Sequence, residues 1–71
     1  MDDMLKKLQK STEESLYNVK LLENAIEFKR DAGLSVAEDL NRLLPLKRQA
    51  IAFARALEKR GISPNYNGVK L

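Results

Sequence analysis

The sequence predicts an all-α fold, an antiparallel helical hairpin, on three observations. From Asp2 to Asp31 there is no Gly or Pro, and the composition favours helix almost throughout. Apolar residues recur along that stretch at helical spacing, with Met1, Met4, Leu5, Leu8, Leu16, Val19, Leu22 and Ile26 on one face and Thr12 and Ser15 as its weaker middle members. Two of the three glycines, Gly33 and Gly61, stand where helices of matching length would end.

A chain of 71 residues holds one small domain, because so short a chain buries only about 60% of its unfolded surface. With 44% hydrophobic and 32% charged residues, it is too apolar for disorder and too polar for a membrane protein. We place a single helical domain over residues 1–62 and an irregular or flexible tail over 63–71. The Met1 start is what an intact N-terminus would show. The residues after it do not form the basic and then apolar run of a signal peptide, so the expected compartment is the cytoplasm.

Taken in order, the first helix spans Asp2 to Asp31. Ser11-x-x-Glu14 reads as a capping box that offers an alternative start near Thr12. Asp31-Ala32-Gly33-Leu34-Ser35 is the reversal, and Ser35-x-x-Glu38 is a second capping box opening a helix near Val36. Pro45 predicts a break or kink in this arm, since proline costs about 3 kcal/mol inside a helix. Beyond it Leu46, Ala50, Phe53, Ala54 and Leu57 share a side, and the alanines keep the segment slim enough for close packing. Gly61 ends the helix, with Ile62 placed to fold back as the apolar contact of a Schellman motif. In the tail, Asn67-Gly68 suits a tight turn.

Function is bounded first by what is missing. There is no Cys and no His, which removes thiol nucleophiles, disulfides, thiolate zinc sites, the usual neutral-pH base and the commonest metal ligand. The carboxylate pairs Asp2-Asp3, Glu13-Glu14 and Glu38-Asp39 are adjacent in sequence. On a helix such neighbours point about 100° apart and do not converge. Glu14 and Glu38 read as capping residues, and Asp2 and Asp3 as favouring the positive end of the first helix. We expect no enzyme activity, no metal, no cofactor and no small-molecule substrate. No apolar run approaches a membrane span, and the amphipathic start with Met1, Met4, Leu5 and Leu8 beside Lys6, Lys7 and Lys10 reads as core packing rather than membrane binding.

Two features point to partners. Tyr17, Leu21, Ala25 and Phe28, at spacings of four, four and three, form a second apolar ridge roughly opposite Val19 and Ile26. One other helical arm cannot cover both faces, so the ridge is expected to meet a second copy of the chain, as in a homodimeric helical bundle, or a larger protein partner. The second feature is charge. Residues 1–45 carry seven Lys/Arg against nine Asp/Glu, whereas residues 46–71 carry six against one. Arg48, Arg55 and Lys59 fall within about 40° of one another on a helical wheel, the arrangement that would track phosphates. Nucleic acid is therefore the alternative partner, against the plainer possibility of a solvated face beside acidic groups of the first helix. Gly33-Leu34-Ser35 resembles the turn of a DNA-binding helix-turn-helix, but Asp39 and Arg42 stand where that motif needs apolar residues.

Overall fold

The computed structural model describes residues 3–70. Two helices, α1 over Asp3–Asp31 and α2 over Ala37–Lys59, pack against each other as an antiparallel hairpin, and the described residues contain no strand. At 1.5 Å per residue the helices are about 43 and 35 Å long, and the molecule is a rod of 49 × 17 × 16 Å.

Both helix ends use glycine for the same reason. At Gly33, φ is +76°, Leu34 N–H donates to the Lys29 carbonyl at 2.8 Å and Gly33 N–H to the Arg30 carbonyl at 3.0 Å. At Gly61, φ is +80°, Ile62 N–H donates to the Leu57 carbonyl and Gly61 N–H to the Glu58 carbonyl, each at 3.0 Å. These are the paired bonds of a Schellman motif, which satisfy carbonyls that the ending helix leaves open and require a left-handed residue that only glycine adopts cheaply.

The capping boxes do not form. α1 runs through Ser11 and Glu14 without interruption, because Thr12 and Leu16 are buried on its continuous apolar stripe. α2 takes Val36 as its N-cap, with no side-chain capping bond. Val36 packs against the core, and that burial sets where the chain enters the helix in place of the Ser35 hydroxyl. Asp39, in the first turn, instead meets Lys29 of α1 at 2.9 Å. Glu23 and Lys47 pair at 3.2 Å further along the hairpin. Such partly exposed pairs contribute up to about 1 kcal/mol each; their role here is to fix the register of the two arms.

α2 is one uninterrupted helix with Pro45 in its interior, so the expected break is absent. The buried residues Leu43, Ala50, Ala54 and Leu57 lie on both sides of the proline, and together they hold the two halves on α1. Proline removes the hydrogen bond to the Asn41 carbonyl, and Asn41 is exposed, where water can replace the lost donor. Pro45→Ala is therefore expected to stabilise the fold by about 1–3 kcal/mol, read as a rise in the thermal midpoint by circular dichroism. A fall would show that the helix depends on the path proline gives it.

The core is narrow. Leu16, Val19 and Ile26 of α1 meet Leu43 and Ala50 of α2, with Leu22 and Val36 at the margin. Ala50 and Ala54 are fully buried, and their lack of bulk lets α1 approach closely. Met4 and Leu8, expected in the core, are exposed, and so are Leu46 and Phe53, which share a side with the buried Ala50, Ala54 and Leu57. They lie at the edge of the apolar stripes, on the side of the hairpin that no described residue covers. Met1, also expected there, lies outside the described residues.

The tail is irregular in backbone and packed against the hairpin. Pro64 and Val69 are buried, Val69 as a member of the main core cluster, and Tyr66 packs on that cluster. Asn65 N–H donates to Glu13 Oε2 at 2.7 Å, and Asn67 Nδ2 donates to the Glu13 carbonyl at 2.9 Å. Asn67 and Gly68 have φ of +53° and +82°, and Val69 N–H closes the turn on the Tyr66 carbonyl at 2.9 Å. This is the expected Asn-Gly turn, with positive φ at both central residues. The Lys20 side chain lies over Gly68, and Lys70 shares a surface hollow with Glu23 and Lys47. The tail thus runs back along the hairpin in the direction of α1, filling one of the two grooves between the helices.

Candidate functional site

The two grooves of a helix pair are equivalent until something fills one of them. Here the tail occupies the groove edged by Glu13 and Lys20 of α1, with Tyr66 beside Glu58 and Arg55 of α2. The opposite groove is open. Near the free end of the hairpin it widens into a cavity of about 250 Å³ whose apolar lining includes Met4, Leu8, Phe53 and Leu57, with Arg60 also on its wall. Toward the middle the lining turns polar, with Ser11, Ser15 and Gln49.

The ridge on the outer face of α1 is where the sequence places it. Tyr17 is 54% exposed, Leu21 47% and Phe28 73%, and Ala25 is exposed between them. Helical geometry sets this face opposite Leu16, Val19 and Ile26, which point at α2. No described residue of the chain covers it. Burying a side chain of the Phe or Leu class contributes about 1.5–3 kcal/mol, so three such residues in line on one helix face hold a large unrealised gain.

The basic residues of α2 are also solvent-facing. Arg48, Arg55 and Lys59 are exposed and, among the described residues, none is in an ion pair. Among the described residues no acidic group of α1 pairs with them, and the one that reaches α2, Glu23, takes Lys47. Arg55 lies near Glu58 and Tyr66.

Folding perturbs the Tyr66 phenol. Burial raises its pKa first and the nearby Glu58 carboxylate raises it further, while Arg55 pulls against both. Glu58 acts through proximity rather than a well-formed hydrogen bond, for the buried hydroxyl has no partner in hydrogen-bonding geometry. A pKa raised by folding means that the docked tail favours neutral tyrosine. Its contribution is complete below the ordinary tyrosine pKa and is lost as pH rises through the higher folded value. The amides of Asn65 and Val69 are therefore expected to lose hydrogen-exchange protection in alkali as Tyr66 ionises. Protection that persists unchanged through the phenolate absorbance titration would contradict this.

No group of three or more acidic side chains converges as a metal site among the described residues. No described helix is long and apolar enough to cross a membrane. No family model, curated protein or solved structure matches the chain.

Sequence reasoning missed the open groove and the docked tail. Met4, Leu8 and Phe53 carry the same helical spacing as the true core, so periodicity alone does not separate them. The one available signal was the tail's composition, since Pro64, Tyr66 and Val69 are more apolar than a solvated terminus requires.

Proposed function

We propose that this is a non-enzymatic helical module that works by docking protein, through the outer face of α1 carrying Tyr17, Leu21, Ala25 and Phe28. The exposure of three large apolar side chains in line on a helix whose other face is already packed supports this reading. Regulators, inhibitors and assembly factors use a helix face in this way. Self-association is part of the proposal, because a domain this small gains stability from burying a second face. The ridge lies opposite α2, so two copies meeting through it place both α1 helices at the centre and both α2 helices outside. That is a flat layer of four helices rather than a square bundle. A bend at Pro45 would let α2 follow the twist of such a layer.

Phe28→Asp is the direct test. Phe28 is 73% exposed and outside the core cluster, so the variant is expected to keep its helicity while its sedimentation falls to that of a monomer at concentrations where the parent chain associates. Unchanged association by the variant would overturn the reading.

A second reading, nucleic-acid binding by α2, is favoured by one observation, that Arg48, Arg55 and Lys59 are in no ion pair among the described residues. It requires affinity for labelled duplex DNA or structured RNA that falls steeply with salt, as counterion release dictates. It also requires loss of that binding on reversing the three charges to Glu.

A further inference from the structure

The outer face of α1 carries more than an apolar ridge. Lys10, Glu14, Tyr17, Leu21, Asn24, Phe28 and Asp31 follow one another at alternating spacings of four and three. Numbered as the seven-residue repeat of a helix seam, this face has Leu21 and Phe28 in a positions and Tyr17 in a d position, with the polar Glu14 in a and Asn24 and Asp31 in d. Lys20 and Glu27 flank the seam on one side, Asn18 and Ala25 on the other. Neither Lys20 nor Glu27 is in an ion pair among the described residues.

We infer that the occupant of this face is a second copy of the chain, docked antiparallel with its two-fold axis midway between Leu21 and Asn24. This rests on the reading of the face as an interface and adds its partner and register. In an antiparallel seam an a residue packs against a d residue of the other helix. Setting Leu21 against Asn24 of the second copy brings Tyr17 against Phe28 of the second copy, twice by symmetry. The same register places Lys20 beside Glu27 of the second copy, also twice. One register thus brings together the aromatic pairs and the opposite charges of Lys20 and Glu27. A parallel pairing stacks Glu14 on Glu14 and Asp31 on Asp31, and it sets Lys20 beside Ala25, with no ion pair across the interface. The small flanking residues Asn18 and Ala25 meet in the antiparallel register and allow close approach.

Leu21 against the polar Asn24 is one mismatch of this register, and a second supplies the test. At each end of the antiparallel seam Glu14 faces Asp31 of the second copy. Glu14→Lys turns two repulsive contacts into two attractive ones and is expected to tighten dimerisation about tenfold in sedimentation equilibrium of the full chain. In a parallel seam the same change sets two lysines face to face and gives no gain. Glu27→Lys, placed opposite Lys20, is expected to weaken the dimer by a similar factor. Because Glu14→Lys predicts a gain, a misfolded variant cannot imitate it; circular dichroism verifies helicity for both. Association unchanged or weakened by Glu14→Lys overturns the antiparallel register and leaves the face as an interface. A parent chain that sediments as a monomer at every concentration overturns the second copy as occupant. The docking of another protein through Phe28 is then judged separately by Phe28→Asp.

Discussion

Leu16→Ala is expected to remove a large part of the fold's stability, while Leu8→Ala leaves it close to intact. Leu16 is 0% exposed and sits in the cluster where α1, α2 and the tail meet. Replacing a fully buried leucine by alanine costs about 2–5 kcal/mol, because the lost transfer energy is joined by that of the cavity left behind. A domain of this length has roughly 4–10 kcal/mol in total, so the variant gives up a large part of it. Its thermal midpoint is expected to drop by more than about 10 °C. Leu8 has the same residue type and lies on the same stripe, but it is exposed on the open groove, so its truncation is expected to shift the midpoint by only a few degrees. Equal shifts in the two variants would contradict the packing described here.

Val69→Asp is expected to release the tail. Val69 is buried in the cluster that contains Leu16 and Val19. An ionised carboxylate there would be desolvated without a partner, a larger penalty than letting the segment go. The loss begins with the 1.5–3 kcal/mol or so of valine burial and extends to the two hydrogen bonds on Glu13. Hydrogen exchange reads this directly: the amides of Asn65 and Asn67, each hydrogen-bonded to a side-chain oxygen, should exchange as in an unfolded peptide, with the α1 and α2 cores still protected. Retained protection at Asn65 would show that the tail is held by something other than this packing.

The pattern of what the residues foretold follows the range of the interactions. Gly33, Gly61 and the Asn67-Gly68 turn were legible because left-handed backbone is a local demand that glycine and asparagine meet. The long helix and its two faces were legible because periodicity is local too. Ser35 was not a cap because burial of Val36, an interaction with residues far along the chain, set the helix start. Leu8 and Leu16 look alike in sequence, and only the choice of groove by the tail separates an exposed residue from a core one. Pro45 signalled a break or kink, and packing on both sides of it keeps the helix unbroken. The outer ridge of α1 was recognisable for the opposite reason, since it is an excess of apolar residues that the chain itself does not use.

The most direct measurement of whether that ridge is an interface is a dilution series of the full chain followed by amide and methyl chemical shifts. Changes with concentration centred on Tyr17, Leu21, Ala25 and Phe28 are the predicted result. Changes centred instead on Met4, Leu8, Leu46 and Phe53 would place the contact in the open groove and contradict it.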